Sequence, residues 1–385
     1  MAERIAITGV GQTHHKSKRT DVNTPELVTE AVEAALEDAQ LTMKDIDFVV
    51  LTSFEMADGQ YLPDMWIVPE FGGVGKPGFK IQNAGTSGAV AAGAAFSYAA
   101  SGMFKNVLCV SWQKMDEGKG AFGRGGGGLS EYWQSQIPFS PITNFARRAF
   151  AYLHNSGCTE EHFGMTRVKQ DQCAMKNPYA QLKLGLTLEK VMESAVLVWP
   201  IRFLHMCPST CGAGVFVVSP EEQAKKVTKK PVWVEDWFCV HVGGAFTMAE
   251  DPTLSTLRYG CEVVYKRCGI TNPLRDIQAF EIYEPASPAE LRWMEEVGVC
   301  EDWTAWKLME QGKVGIDKEI PFNPSGGVTA TNPIGATPVI RIIEAALQIR
   351  GDAGEHQVPH TVNRALATGY GGQGENVLIL LRKSL

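Results

Sequence analysis

Two stretches near the end of the chain decide its fold: PFNPSGGVTATNPIGATPVI at 321–340 and ALATGYGGQGENVLILL at 365–381. Each joins a glycine-rich turn to an apolar run. Glycine allows tight bends and close backbone approaches that other residues tolerate poorly. Apolar runs of this length are typical of buried strands or helices. We therefore expect two tight turns, each anchored by a buried element.

Strand-like and helix-like segments alternate along the rest of the chain. Residues 4–10 and 45–54 are apolar and β-branched, as in buried strands. Residues 25–40 place their apolar side chains on one helical face, with Thr24 as the expected cap and Pro25 at the first helical position. Apolar strands that alternate with helices predict an α/β fold with a parallel sheet covered by helices.

The second half of the chain repeats this order, which predicts two weakly similar βαβαβ halves. The matched segments are 279–283 with 45–54, 325–351 with the turn and helix after Asn83, and 375–381 with 106–112. We expect an N-terminal half over 1–230 and a C-terminal half over 231–385. An inserted loop and helix region, 113–204, resembles neither repeat, and its glycine-rich part at 118–133 is typical of a mobile functional loop or of disorder.

Composition and charge exclude several classes of protein. The chain has 385 residues and a net charge of −7, whereas a nucleic-acid surface needs clustered basic residues. It has no run of about 18 apolar residues, so we expect no membrane span, and its start lacks a signal-peptide pattern. We expect a cytoplasmic enzyme that binds an anionic cofactor through a local site.

Nine scattered cysteines form no CxxC pair, so we expect reduced thiols and no metal site in this chain. Cys207 is a candidate reactive thiol because His205 lies two residues before it. A thiolate needs an electropositive setting. A core role is the alternative, since a strand would put both residues on one face without making them partners.

The segment FEIYEPASPAE at 280–290 ends a predicted buried strand with Tyr283 and Glu284. In open α/β sheets, residues at the carboxyl ends of strands face the ligand crevice. This position makes Tyr283 and Glu284 candidate site residues. The structural alternative is a hydrogen-bonded core aromatic at Tyr283 and a helix-dipole partner at Glu284.

In their order along the chain, these segments resemble the thiolase superfamily, in the branch of sterol-carrier and lipid-transfer proteins. The resemblance runs through ITGVGQT, ARRAFAYLHNSGCTEEHFG, NPYAQ, WPIRFLHMCPSTCGAGVFVVS, NPSGG, NPIGAT and GYGGQG. Members of the superfamily make or break carbon–carbon bonds next to a coenzyme A thioester. The resemblance implies a layered α-β-α-β-α fold, coenzyme A as a substrate, and a homodimer.

The resemblance also implies that the usual catalytic side chains are absent. Gly85 stands where the nucleophilic cysteine is expected, and Asn332, which cannot act as a general base, replaces the family histidine. Thr368, followed by Tyr370, replaces the second cysteine. The turns favour a subgroup that works with a small partner combining a zinc finger and an OB-like domain, and that includes large subunits similar to benzoylsuccinyl-CoA thiolase. A non-catalytic paralogue is the alternative.

Our leading hypothesis is thiolase-type acyl transfer on a β-ketoacyl-CoA, with a second CoA thiolate attacking the ketone directly. Tyr283 or Tyr370 is the candidate acid/base group. Candidate oxyanion donors are Asn332 and the backbone N–H groups of Gly326, Gly327 and Gly371. Retro-aldol cleavage of a β-hydroxyacyl-CoA and a non-catalytic CoA-binding subunit are the alternatives.

For coenzyme A, we expect the region 118–150 to cover the phosphates. The expected contacts are Arg124, Arg147, Arg148, Ser325, Gly326, Gly327 and Gly371. For Arg147 and Arg148, solvated charges on a helix face are the alternative. The composition does not select the acyl group, because nine Trp and 17 Phe suit an aromatic pocket and a core equally.

Overall fold

The computed structural model describes residues 3–118, 140–241, 256–371 and 374–385. In these ranges the strands are β1 (Ile5–Gln12), β2 (Phe48–Thr52), β3 (Gly78–Lys80), β4 (Val107–Lys114), β5 (Val196–Val198), β6 (Ile201–Arg202), β7 (Cys211–Pro220), β8 (Val232–Val240), β9 (Ala279–Glu281), β10 (Arg364–Tyr370) and β11 (Asn376–Arg382).

The α-helices in the same ranges are α1 (Thr24–Ala39), α2 (Glu55–Asp58), α3 (Asp64–Glu70), α4 (Ser87–Ala100), α5 (Pro141–Asn155), α6 (Glu160–Lys176), α7 (Leu188–Glu193), α8 (Glu221–Val227), α9 (Thr256–Cys268), α10 (Pro273–Asp276), α11 (Ser287–Glu296), α12 (Ala305–Glu310) and α13 (Thr337–Arg350). The predicted cap of α1 is wrong by one residue: Asn23, not Thr24, accepts the N–H of Glu26 and forms a capping box with it.

The main sheet of the described residues is mixed, in the order β3-β2-β4-β7-β1-β8-β11-β10-β9. β2 runs parallel to β3 and β4, and β9 runs parallel to β10. The pairs in the middle of the sheet are antiparallel. The prediction of a parallel sheet is therefore wrong for the middle strands, because apolar content alone does not encode strand direction.

The sheet contains the predicted duplication, which becomes apparent when the strand orders on the two sides of the central β1–β8 pair are compared. β1, β7, β4 and β2 in one direction correspond to β8, β11, β10 and β9 in the other, and β1 pairs with β8 through Ala6 and Ile7. β9 corresponds to β2, and α13 to α4, as the sequence predicts. The match of 375–381 with 106–112 is wrong, since β11 takes the place of β7 and β10 that of β4. The predicted division of the chain after residue 230 stays a prediction.

The helices and the two half-sheets stack in five layers with apolar cores between them, which confirms the α-β-α-β-α arrangement. α1 packs on the outer face of the first half-sheet. α4 and α13 lie between the two half-sheets, and α9, with α11 behind it, covers the second half-sheet. The small residues of α4 permit this close packing: a Cβ built at Gly88 would lie 3.0 Å from the carbonyl oxygen of Gly335.

The turns that begin α4 and α13 meet the carboxyl ends of β9 and β10 between the half-sheets. Parallel pairing sets Glu281 opposite Ala367, so the residues just beyond β9 lie beside the end of β10. In the part of the chain that the structure describes, no helix combines the length and hydrophobicity needed to cross a bilayer.

Candidate active site

Asn332 is the centre of a hydrogen-bonded cluster just before α13. Its Oδ1 accepts from the hydroxyls of Tyr283 at 3.2 Å and Thr337 at 2.9 Å. Its Nδ2 donates to the sulfur of Cys207 at 3.1 Å, and its backbone N–H donates to the hydroxyl of Thr210 at 2.9 Å. An amide suits this position because it donates and accepts at once. The fold thus brings together three of the predicted residues, Asn332, Tyr283 and Cys207.

Tyr283 is held in place by Thr368 on the neighbouring strand. The N–H of Tyr283 donates to the hydroxyl of Thr368 at 2.9 Å, and both residues are buried. Burial, and after it the neighbouring Cys207, raise the pKa of the Tyr283 phenol well above its usual value. Tyr283 therefore keeps its proton and serves as a hydrogen-bond donor, and Thr368 acts as a positioning residue.

Tyr370 ends β10 with its ring in an aromatic cluster. Its ring centroid lies 5.3 Å from that of Trp293, 6.0 Å from that of Phe145 and 6.4 Å from that of Tyr283. Its hydroxyl is buried and has no hydrogen-bond partner among the described residues. Buried hydroxyls are nearly always hydrogen-bonded in proteins. This hydroxyl is therefore a free donor and acceptor that a bound substrate can use.

Gly85 packs against the backbone of Tyr370. A Cβ built at Gly85 would lie 2.5 Å from the carbonyl oxygen of Tyr370, and Ala84 before it has a φ of +46 degrees. The turn therefore has no room for a cysteine at this position. Gly371, next to Tyr370, donates its N–H to the carbonyl of Glu375 at 2.8 Å, and its role as an oxyanion or cofactor donor stays a prediction.

Cys207 lacks the setting of a nucleophile. Burial raises the pKa of its thiol to about 12, and its hydrogen-bonding neighbour, Asn332, is neutral. His205 lies in a 3-10 turn and not in the expected strand, and its Nδ1 accepts from the N–H of Arg202 at 3.2 Å. Burial lowers the pKa of His205 to about 3. These surroundings favour the core role for Cys207, which receives a hydrogen bond and offers no thiolate.

The backbone amides of the turn at 325–327 make hydrogen bonds within the protein. The N–H and hydroxyl of Ser325 donate to the carboxylate of Glu281 at 3.0 and 2.7 Å. Gly326 donates its N–H to the carbonyl of Asn323 at 3.0 Å, and Gly327 donates its N–H to the hydroxyl of Ser325 at 3.3 Å. The amides of this turn have partners within the chain, and its role in binding an oxyanion or the cofactor stays a prediction.

Arg147 and Arg148 lie on α5, beside Tyr370, while Arg124 lies outside the described residues. Burial and then the charge of Arg148 lower the pKa of Arg147, and the nearby Tyr370 phenol opposes this shift. A like-charged neighbour and partial burial both disfavour a cation. A bound anion such as a phosphate would therefore stabilise the charge of Arg147.

A groove between α5 and α11 leads to the aromatic cluster. It is lined by Phe145, Arg148, Ala149, Ala151, Tyr152, Pro288, Ala289, Arg292, Trp293 and Trp303. Phe145 and Trp293 also contact the ring of Tyr370. The groove therefore adjoins the aromatic cluster, with Arg148 of α5 and Arg292 of α11 among its lining residues.

Sequence reasoning missed Arg341 and Glu281, which support the site from the side of the 325–329 turn. Arg341 pairs with Glu281 at 2.6 Å, and both are fully buried. No local pattern marks this pair, since the two residues are distant in sequence. Glu284, a candidate from its place at the strand end, accepts the N–H of Val328 at 2.8 Å, and burial, followed by the nearby Glu290, raises the pKa of its carboxyl well above the usual value.

The layered fold and the aligned turns identify the class of protein. Residues 240–382 match the family model described as thiolase C-terminal domain-like. The chain is 27% identical over 366 residues to the acetyl-CoA acetyltransferase of Methanothermobacter thermautotrophicus, covering 92% of this chain and 93% of that protein. Over most of its length the chain is similar to proteins of the thiolase superfamily, as expected of a thiolase-like acyl-CoA enzyme.

Further relatives place the chain within the superfamily. It is 26% identical to sterol carrier protein 2 of Bos taurus, over 93% of this chain and 68% of that protein. It is 29% identical over 231 residues to the benzoylsuccinyl-CoA thiolase subunit BbsB of Thauera aromatica, covering 59% of each. A solved structure described as the Ltp2-ChsH2(DUF35) aldolase superposes with a TM-score of 0.86 at 24% identity, covering 100% of this chain and 99% of that chain. The predicted resemblance to the sterol-carrier branch is confirmed.

Proposed function

We propose that this chain cleaves a carbon–carbon bond next to a coenzyme A thioester by retro-aldol chemistry on a β-hydroxyacyl-CoA. One observation carries the proposal. The space for a cysteine at Gly85 is taken by the carbonyl of Tyr370, while the hydroxyl of the same tyrosine is buried and without a partner. An acyl-enzyme therefore has no anchor at this position, and a proton-transfer group is available instead.

Retro-aldol cleavage needs a base for the β-hydroxyl and a donor for the thioester enolate. The Tyr370 oxygen takes the proton of the β-hydroxyl, and the oxygen left behind forms a carbonyl as the Cα–Cβ bond breaks. The electron pair moves into the thioester, and the phenol returns its proton to Cα. The guanidinium of Arg147 lies near this phenol and places a positive charge beside the reacting oxygen.

Asn332 supplies the enolate donor in this proposal. Its Nδ2 has two protons, of which one points to the sulfur of Cys207. The other is available to the thioester oxygen. Tyr283 and Thr337 fix the amide by donating to its Oδ1, so the donor is oriented before the charge develops. A preorganised donor of this kind is worth roughly 3 kcal/mol in the transition state.

Thiolytic cleavage of a β-ketoacyl-CoA is the second candidate, and the sequence relatives favour it. The archaeal relative is named an acetyl-CoA acetyltransferase, and the Thauera relative a thiolase subunit. In this reaction the thiolate of free coenzyme A attacks the ketone directly. Asn332 holds the tetrahedral oxyanion, and Tyr370 protonates the departing carbon.

The proposal includes partners. The relative from Thauera is named a subunit, and the similar solved structure is described as a complex with a DUF35 chain. These names support a partner subunit. The homodimer, and the zinc-finger and OB-like character of that partner, follow from the family resemblance described above. Coenzyme A binds as substrate, with its phosphates toward Arg147 and Arg148 on α5 and Arg124 in the region before it.

The test is to co-express the chain with such a partner and to identify the products of β-hydroxyacyl-CoA and β-ketoacyl-CoA substrates, aryl and alkyl. An aldehyde or ketone together with one shorter acyl-CoA supports the aldolase. Two CoA thioesters, formed only when free coenzyme A is added, support the thiolase. Tight CoA binding without turnover of either substrate class, with the partner present, overturns both and leaves a binding subunit.

A further inference from the structure

Three potential metal ligands converge where β8 ends and β11 begins. The sulfur of Cys239 lies 3.4 Å from Oε1 of Glu375 and 4.0 Å from Nε2 of His241. Nδ1 of His241 lies 3.4 Å from the same Oε1. Taking one ligand atom from each residue, the three atoms lie within 4.8 Å of one another.

Strand geometry explains why these residues meet. Cys239 and His241 are two positions apart at the end of a strand, which directs both side chains to the same side. β8 pairs with β11 so that Val240 faces Asn376 and Cys239 faces Val377. This register places Glu375 next to His241. The sequence analysis expected no metal because it found no CxxC pair, but this ligand set is assembled from two strands far apart in the chain.

The spacing of the three atoms suits a small divalent metal. Zinc binds cysteine sulfur at about 2.3 Å, histidine nitrogen at about 2.0–2.1 Å and carboxylate oxygen at about 2.0–2.2 Å. At tetrahedral angles, such ligands lie roughly 3.3–3.7 Å from one another. The Cys239 sulfur and Oε1 of Glu375 already lie 3.4 Å apart. The two His241 distances involve different ring nitrogens, and with one nitrogen as the ligand all three atoms lie within 4.8 Å of one another, so the exposed His241 ring has to rotate to bring that nitrogen closer. Sulfur and imidazole ligands select zinc-class metals over magnesium or calcium.

Glu375 is oriented by residues on both sides of Gly85. Asn83 donates from Nδ2 to Oε1 of Glu375 at 2.7 Å, and the hydroxyl of Thr86 donates to Oε2 at 3.0 Å. Outer hydrogen bonds of this kind orient the ligands of metal sites. The cluster is therefore built into the turn that packs on Tyr370, and it adjoins the candidate active site without using Asn332 or Tyr283.

We propose that Cys239, His241 and Glu375 bind one divalent metal ion of the zinc class, with a fourth position open. Three protein ligands with an open position are the arrangement of zinc sites that bind an exchangeable water or an outside ligand. The ion ties the ends of β8 and β11 to the 83–86 turn. It also places a positive charge beside the Gly85 turn.

The test uses the full chain purified without a partner, because a zinc-finger partner would bring metal of its own. After chelator treatment, the protein is titrated with Co²⁺ and then with Zn²⁺ in competition. We expect one Co²⁺ per chain, a thiolate-to-cobalt absorption band, and its displacement by one Zn²⁺. The band should disappear in Cys239→Ser, and cobalt affinity should fall at least about tenfold in His241→Ala and in Glu375→Gln. Asn83→Ala should weaken affinity by about 10-fold to 100-fold.

Matched controls separate this site from the other thiols and from misfolding. Cys268→Ser and Cys300→Ser replace half-buried cysteines elsewhere and should keep the full band. The side chain of His241 is 72% exposed, so its removal leaves the fold intact, and His360→Ala is the matching exposed-histidine control. An unchanged band in Cys239→Ser, loss of the band in Cys268→Ser, or no cobalt binding by the parent chain overturns the proposal. None of these outcomes depends on the carbon–carbon chemistry.

Discussion

The turns before α4 and α13 occupy equivalent places in the two halves, yet only the second has a side chain at the aligned position, where Asn332 stands and the first turn has Gly85. At Gly85 there is no side chain, and the carbonyl of Tyr370 fills the space. At Asn332 the side chain makes three hydrogen bonds, to Tyr283, Thr337 and Cys207. The comparison teaches that duplicated turns can divide their roles: one sets the shape of the cleft, and the other supplies its donors.

Removing the hydroxyl of Tyr370 tests the comparison with the largest expected effect. Tyr370→Phe keeps the ring and its packing but removes the proposed acid/base group. We expect kcat to fall about 100-fold to 10,000-fold, with CoA affinity unchanged. Steady-state product analysis measures kcat, and calorimetric titration with coenzyme A measures the affinity. Tyr61→Phe, at an exposed position, should change neither. A loss of less than about tenfold in Tyr370→Phe would remove this hydroxyl from the mechanism.

Removing the donor at the second turn should have the next largest effect. Asn332→Ala deletes the amide that holds the developing oxyanion, and we expect kcat to fall about 100-fold to 1,000-fold. Asn332→Asp keeps the acceptor for Tyr283 and Thr337 but loses the Nδ2 donor. It should be as inactive as Asn332→Ala while unfolding closer to the parent. If Asn332→Asp retains the parent rate, the amide donor has no part in the reaction. Asn363→Ala is the exposed control.

Restoring a cysteine at the first turn should damage the fold and not create an acyl-enzyme. In Gly85→Cys the new Cβ overlaps the carbonyl of Tyr370, and overpacking of this kind costs about 1–3 kcal/mol. Denaturant unfolding measures the loss, and intact-protein mass spectrometry after incubation with substrate detects any acyl adduct. Ser101→Cys, exposed at the end of α4, should cost little. A stable Gly85→Cys protein that accumulates an adduct would show that the turn still accommodates thiolase chemistry.

The smallest expected effect is a change of folded stability with pH. It arises from Asp58 and Gln113, which hold the turn before α13 in place. The N–H of Gly335 donates to Oε1 of Gln113 at 2.9 Å, and Nε2 of Gln113 donates to the carboxyl of Asp58. Burial raises the pKa of Asp58 to about 7, so the folded chain keeps a proton that the unfolded chain releases above about pH 4. Folded stability should therefore fall as pH rises from about 4 toward 7 and then level off.

Asp58→Asn carries no titrating carboxyl and should lack this slope. We expect the difference in the free energy of unfolding between the parent and Asp58→Asn to change by at least roughly 1 kcal/mol between pH 5 and pH 8. Urea unfolding at several pH values measures it. Parallel pH profiles for the two proteins would contradict the assignment of this slope to Asp58.

Much of the fold was predictable because local patterns encode it. Helix α1 and the helix after the NPIGAT turn follow from apolar periodicity and their proline-led starts. The pairing of β11 with β8 was not predictable, because 375–381 and 106–112 are similar apolar runs and strand direction depends on distant partners. The layered arrangement came from the resemblance and not from the periodicity.

The candidate site was predictable where its residues stand at recognisable positions. Asn332 and Thr368 stand at positions that the resemblance marks, and Tyr283 ends a predicted strand. The internal hydrogen bonds of the 325–327 turn were not predictable, since they depend on Glu281 and Arg341, which are joined only in the folded chain. The cluster of Cys239, His241 and Glu375 was invisible for the same reason.

The glycine at position 85 has a consequence for the conditions under which the chain works. An enzyme whose step depends on a thiolate stops when peroxide or an alkylating reagent modifies that sulfur. Here the proposed reacting groups are a phenol and an amide, and the neighbouring Cys207 is kept protonated by burial. Carbon–carbon cleavage by this chain should therefore continue under oxidative stress that inactivates relatives whose reaction depends on a cysteine.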